Sequence, residues 1–146
     1  FEILLGSEQL QIIIDFRKGQ IMNKDVIFTE KAPAAVGPYV QAIQAGNILS
    51  ASGQLGIDPA TGKLPESVVD QAKQSLANVA AILEKAGYAK EDVIKTTVYL
   101  ADIKDFAQVN EVYGAFFGEW KPARSCVEVG NLPLNGKVEV EILAVK

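Results

Sequence analysis

Downstream of Ser67 the apolar residues Ala72, Leu76, Val79, Leu83 and Ala86 recur at steps of three and four. That period puts them on one face of an α-helix. Ser67 with Asp70 three positions on is a weak capping box, and Gly87 stands where a left-handed residue would stop the helix. A second helix is expected after Asp102 or Asp105, with Phe106, Val109, Tyr113, Phe116, Phe117 and Trp120 on its buried side. Elsewhere, β-branched residues and alternating apolar and polar positions predict strands over residues 25–29, 39–45, 48–52, 94–101, 123–129 and 138–145. Gly46-Asn47 is a two-residue hairpin signal between the second and third of these, and GIDPATGKLP is turn chemistry.

The resulting order is β-β-β-α-β-α-β-β, with no repeat, low-complexity run or linker to split it. It predicts one α+β domain, a mixed sheet with two helices packed on one face. The other sheet face is then left uncovered by this chain, which favours association with further copies.

Composition narrows the chemistry. At 146 residues the chain is long enough to bury a core without disulfides or metal. Its formal net charge of −4 argues against duplex nucleic acid, which needs a basic footprint. The single cysteine, Cys126, allows no intramolecular disulfide and fits a reducing, cytoplasmic compartment. Histidine is absent, which removes Ser-His-Asp and Cys-His catalysis and the common His-based metal sites. No apolar run approaches the ~20 residues that span a bilayer. There is no nucleotide, phosphate or metal motif, and no cofactor is expected.

The N-terminus stands apart. Residues 1–21 lack the basic leading segment of a signal peptide, and acidic residues interrupt their apolar stretches. RKGQIM can be encoded by a purine-rich run resembling a ribosome-binding site followed by a start codon. Residues 1–21 are therefore expected to be a translated leader or added extension, with the natural domain over residues 22–146.

Charge then appears where half-buried strands would carry apolar or neutral residues. Arg124 and Glu128 occur in PARSCVEVGNLP at 122–133, and Glu139 and Glu141 in the following VEVEILAV. On this reading an Arg and two or three Glu line one side of a strand pair. Arg124 is a natural clamp for a small carboxylate, or else a structural partner of Glu139 or Glu141 across the sheet. Glu139 and Glu141 share a face; one of them could activate a water, or both could form a solvated strand face. Cys126 is two residues from Arg124, either a reactive thiol or, without a partner base, a small buried hydrophobe. Tyr39 follows Gly37-Pro38, and Ser52 precedes Gly53, where a ligand could approach the backbone; each is otherwise a turn residue. By themselves these residues support a small pocket for an anionic ligand and do not define a reaction.

As a set they resemble a known family. APAAVGPYVQA at 32–42, SASGQLGIDPATG at 50–62, QAKQSLANVAAIL at 71–83, KTTVYLADIKDFAQVNEVYGAFF at 95–117 and PARSCVEVGNLP with VEVEILAV are similar to the Rid/YjgF family of reactive intermediate imine deaminases. The resemblance covers about residues 22–146. It implies a chorismate-mutase-like α+β subunit in a homotrimer, its sheets lining a central β-barrel, with pockets at the subunit clefts. The implied reaction is hydrolysis of 2-iminobutanoate or 2-iminopropanoate to the 2-keto acid and ammonia, protecting pyridoxal-phosphate enzymes. Carried across, Arg124 would bind the substrate carboxylate and Glu139 would activate water. Tyr39, Ser52, Gly53, Asn110 and Cys126 would line the pocket, some contributed by a neighbouring chain. Glu128 and Glu141 stay structural. The alternatives are an endoribonuclease or translation inhibitor, and a non-enzymatic metabolite-binding or chaperone-like trimer.

Overall fold

A computed structural model describes residues 23–146; the expected extension over residues 1–21, and Met22 as the start of the domain, lie outside the described residues. Strands β1 (Lys24–Ile27), β2 (Ala42–Ala45), β3 (Ile48–Leu55), β4 (Val93–Leu100), β5 (Ala123–Glu128) and β6 (Val138–Val145) alternate with helices α1 (Val68–Ala86) and α2 (Phe106–Phe117). Their order along the chain, β1-β2-β3-α1-β4-α2-β5-β6, is the predicted one. The strands form one mixed sheet in the order β1-β2-β3-β6-β4-β5. Only β4 and β5 are parallel, joined through α2; the other pairs are antiparallel.

The last strand, β6, fills the gap between β3 and β4 that the passage through α1 leaves. Its alternation is strict: Val138, Val140, Ile142 and Ala144 are buried, while Glu139, Glu141, Leu143 and Val145 are half-buried. Both helices cover the face carrying the buried set. Ser75 Oγ of α1 donates to the carbonyl of Gln54 at 2.7 Å, and Gln54 is in register with Val140. The Tyr113 hydroxyl of α2 shares a 2.8 Å hydrogen bond with Thr96, which is in register with Ile142. The opposite, open face is covered by no helix among the described residues.

The buried stripe of α1 is not purely apolar. Ser75 and Asn78 are 0% exposed, tolerable only because each is satisfied. Asn78 Nδ2 donates to the carbonyls of Leu55 at 3.0 Å and Ile57 at 2.9 Å. Gln71 donates to the Pro65 carbonyl at 2.7 Å and accepts from the Lys137 amide at 2.8 Å. Gly56 lets the chain press onto the helix, since a Cβ there would overlap the Gln71 backbone. These bonds pin the chain leaving β3 onto α1. The caps are as expected: Ser67 accepts from the Asp70 amide, and Gly87 adopts φ 75° at the C-terminus.

Several boundaries differ from the sequence reading. Strand β3 runs past Ser52 to Leu55, crossing a register shift between Ala51 and Gln54. Residues 39–41 are not in β2, because the Gln41 side chain ties the preceding loop instead (below). Of the two candidate caps, Asp105 takes the N-cap position of α2 without a side-chain hydrogen bond, while Asp102 caps a short 3-10 turn, Ile103–Asp105. Phe106 and Trp120 are 38% and 39% exposed, so neither belongs to the buried stripe. The helix stops at Phe117 because Gly118 takes φ 63°, and Trp120 lies beyond, its indole donating to the Val93 carbonyl at 2.7 Å. No helix of the described residues is long and apolar enough to cross a membrane.

Asn78→Ala removes three hydrogen bonds, two donated to the Leu55 and Ile57 carbonyls and one accepted from Gln74 Nε2, and leaves two part-buried carbonyls without that donor. It is expected to lower unfolding free energy by about 2–3 kcal/mol, read from the urea midpoint at fixed protein concentration. A loss below about 0.5 kcal/mol would show that the pinning contributes little.

Candidate active site

The parallel register of β4 and β5 sets Arg124 opposite Thr96, and Cys126 opposite Val98. Thr96 and Val98 point to the helix face, so Arg124 and Cys126 do too. Glu139 is opposite Tyr99, and Glu141 opposite Thr97, one residue out of phase. Both glutamates therefore occupy the open face. The expectation that Arg124, Glu139 and Glu141 line one side of the strands is corrected: one chain holds them on opposite faces of its sheet. The same geometry rules out Arg124 as a cross-sheet partner of either glutamate.

On the helix face Arg124 sits in an aromatic seat. Its Nη1 donates to Asn110 Oδ1 at 2.7 Å, and its Cζ lies 4.7 Å from the Tyr113 ring centroid and 5.6 Å from that of Phe106. Phe106, Asn110 and Tyr113 are spaced four and three apart, one stripe of α2. The Tyr113 ring is fixed in turn by its bond to Thr96. No carboxylate pairs with Arg124 among the described residues, so its remaining N–H groups can take a carboxylate in the fork geometry guanidinium favours. Sequence reasoning found Asn110 only by resemblance and assigned Phe106 and Tyr113 to the core. The available signal was the spacing, which puts all three on the face that meets β5. Beside Arg124, Cys126 is half-buried; burial pushes its thiol pKa up, against the opposing pull of the Arg124 cation. A thiol kept protonated is a poor nucleophile.

The open face carries the second group. Ser52 and Gly53 fall at the register shift where β3 passes β6, a bulge of the kind that re-aims side chains beside sites. A Cβ at Gly53 would overlap the Glu139 carboxylate; only glycine lets that carboxylate lie against the backbone. Burial, then the neighbouring Glu141 charge, raise the Glu139 pKa above the usual carboxylate range. Ser52 is not an open hydroxyl: its Oγ donates to the Val40 carbonyl at 2.6 Å and its amide to the Gln41 carbonyl at 2.9 Å. These bonds hold the segment bearing Tyr39, which is 51% exposed. Gln41, 3% exposed, anchors the loop before it. Its amide group donates to the carbonyls of Thr29, Ala32 and Pro33 and its Oε1 accepts from the Thr29 amide.

The predicted residues thus resolve into two groups: Arg124, Asn110 and Cys126 on the helix face, and Glu139 with Gly53 and Ser52 at the bulge beside the open face, the Tyr39 segment being tied to Ser52. A depression of about 140 Å³ on the open face is lined by Ser50, Lys95, Thr97, Glu141 and Leu143 among others, and includes neither Arg124 nor Glu139. Glu128 is a capping group, accepting from the Ile103 amide at 2.8 Å, in line with a structural role. Among the described residues no group of three or more His, Cys, Asp and Glu is placed to hold a metal.

The model of the family described as Endoribonuclease L-PSP matches residues 29–146. The chain belongs to the Rid/YjgF family. It is 53% identical over 123 residues to an Escherichia coli protein named 2-iminobutanoate/2-iminopropanoate deaminase, an alignment covering 82% of this chain and 96% of that one. It is 56% identical over 124 residues to a RutC family protein of Pyrococcus horikoshii, covering 84% and 98%. Among solved structures, Escherichia coli TdcF with bound serine superposes with a TM-score of 0.81 at 47% identity, covering 84% and 98%. A Thermotoga maritima protein described as a putative endoribonuclease gives 0.82 at 45%, covering 84% and 97%. The Rid/YjgF members thus carry both deaminase and endoribonuclease names.

Two expected outcomes follow from the group around Glu139. With its pKa raised, folded Glu139 holds its proton more tightly than the unfolded chain does. Wild-type stability therefore falls as pH rises from the ordinary carboxylate range through the folded-state pKa. Glu139→Gln has no proton to lose, so it is expected to melt above wild type at about pH 8, with the gap closing toward about pH 4; melting scans at both values check this. Gly53→Ala is expected to leave stability within about 1 kcal/mol, since a flexible carboxylate can swing aside. In its crystal structure Glu139 should be displaced, and an unmoved Glu139 would show that the contact is not restrictive.

Proposed function

We propose that this chain hydrolyses small 2-imino acids, such as 2-iminobutanoate and 2-iminopropanoate, to 2-keto acids and ammonia, at sites shared between copies of a homotrimer. The observation that carries this reading is the division of the candidate residues between two sheet faces. One chain cannot bring Arg124 and Glu139 to a single small substrate, whereas the helix-face edge of one copy laid against the open face of another can. The 53% identity to a protein named 2-iminobutanoate/2-iminopropanoate deaminase supports the substrate class. So does the serine bound by TdcF, a ligand with the carboxylate and nitrogen of an imino acid.

In this reading Arg124 grips the substrate carboxylate, steadied by Asn110 and the two aromatic rings, and Cys126 adds backbone contacts. Tyr39 and Gly53 of the neighbouring copy close the pocket. Glu139 of that copy takes a proton from water as its oxygen bonds to the imine carbon. With the imine nitrogen protonated, the C=N π electrons pass to that nitrogen, giving a neutral carbinolamine. Glu139 returns its proton to nitrogen, a hydroxyl lone pair forms the carbonyl as the C–N bond breaks and ammonia leaves, and the hydroxyl proton passes to the Glu139 carboxylate and from it to ammonia. A carboxylate with raised proton affinity suits the first step, and orientation supplies much of the rest. No metal or cofactor takes part. The role is removal of reactive imines and enamines that damage pyridoxal-phosphate enzymes, in the cytoplasm. The ribonuclease reading has less support: the chain contains no histidine and has a net charge of −4.

Ammonia release from enzymatically generated 2-iminobutanoate is the test. Arg124→Ala and Glu139→Gln should each lose at least about 100-fold in kcat/KM. If the two variants are unfolded together and refolded as a mixture, a shared site predicts recovery of up to about a quarter of wild-type activity, from interfaces with both intact halves. Ammonia release by the wild type no faster than the uncatalysed reaction would refute the deaminase, wild-type rates in Arg124→Ala would refute the carboxylate clamp, and no recovery on mixing would refute the shared site.

A further inference from the structure

The reading above leaves Glu141 without a role, yet its carboxylate is engaged. The Tyr99 hydroxyl donates to Glu141 Oε1 at 2.9 Å. The residue directly across from Tyr99 is Glu139, while Glu141 faces Thr97. The phenol therefore reaches diagonally past the residue paired with its own backbone to the next carboxylate along β6. A phenol has a single proton to donate. Engaging Glu141 withholds that proton from Glu139.

The other groups around this corner are few. On β4, Lys95 directs its amino group to Ser125 Oγ of β5 at 2.9 Å, and Thr97 is uncharged. On β3, Leu55 lies opposite Glu139, with Gly53 at its carboxylate. On β5, the residue in register with Tyr99 is Val127. No side chain among the described residues donates to Glu139.

We propose that Tyr99 and Glu141 are positioning residues for Glu139: the phenol tethers Glu141, keeps its own proton away from Glu139, and leaves Glu139 open to water beside a fixed negative charge. The opposite wiring, Tyr99 donating to Glu139, would stabilise the charged carboxylate and weaken it as a base. As wired, the Glu141 charge adds to burial in raising the proton affinity of Glu139. The inference rests on Glu139 being the base of the proposed hydrolysis.

The test replaces Glu141 with Gln in the full chain, which keeps an acceptor for Tyr99 and removes the charge. Two quantities are read: the titration midpoint of the Glu139 carboxyl by carbon-13 NMR without substrate, and the pH profile of kcat/KM for 2-iminobutanoate. In E141Q the midpoint and the acid limb should both move to lower pH, with plateau kcat down about threefold and KM unchanged. Tyr99→Phe should move both in the same direction, because an untethered Glu141 swings toward solvent; it also serves if E141Q does not fold. A Glu139 midpoint unmoved in the folded variants overturns the proposal whether or not the protein deaminates imines. A moved midpoint with an unmoved acid limb in an active enzyme overturns it too. A wild type inactive on imines whose Glu139 midpoint still moves supports the tether and overturns the deaminase reading instead.

Discussion

The alternation of side chains along a β-strand is the constraint on which this molecule turns. In β6 every second residue is buried beneath the helices, and Glu139 and Glu141 occupy the phase between. In β5, Arg124 falls in the phase that faces α2, as its bond to Asn110 requires. A one-residue slip of either strand would reverse the assignment. In β6 the slip is prevented by Val138, Val140, Ile142 and Ala144, each no more than 4% exposed, and in β5 it would break the bond of Arg124 to Asn110. The packing that fixes the register of the core thus also fixes which face each charge occupies. Separation of cation and carboxylate is a property of the sheet rather than of the side chains.

Arg124 and Glu139 are each held in place by their neighbours. Around Arg124, the Tyr113 ring is locked by Thr96, and Asn110 takes one of the guanidinium's N–H groups, so the cation is oriented before any ligand arrives. Around Glu139, the bulge carrying Ser52 and Gly53 is flanked by bonds to residues 40 and 41 on one side and by the α1 pins on the other. Polar residues in the buried stripe of α1 look like a local weakness, but they meet the backbone groups that an irregular strand end leaves unpaired. The irregularity is tolerated because the helix satisfies it. Preorganisation of this kind lowers the cost of ordering a small ligand.

Neither group is arranged for stability alone. A half-buried carboxylate beside a like charge and a guanidinium without a carboxylate partner both oppose folding to some degree. A purely structural design would have placed them on one face and paired them. Their separation leaves two unmet electrostatic demands on opposite faces of the sheet.

Much of this was legible in the linear chain. The element order, the α1 stripe with its Ser67 and Gly87 boundaries, and the alternation of β6 follow from side-chain periodicity and turn residues, which are local properties. The same locality explains the misreadings. Strand β3 runs on past Ser52, and residues 39–41 leave β2, because the Gln41 side chain bonds to residues 29–33, far away in sequence. Phe106 looked like core because periodicity reports a face without naming what lies opposite; it is 38% exposed, whereas Tyr113 is buried as expected and also seats Arg124. The phase of Arg124 relative to Glu139 was out of reach for the same reason. Each strand has its own alternation, but how two strands align is decided by hydrogen-bond register across β4, between segments distant in sequence. Residue types and their spacing determined which groups could hold a small acid and move a proton; only the paired sheet decided that one chain keeps them apart.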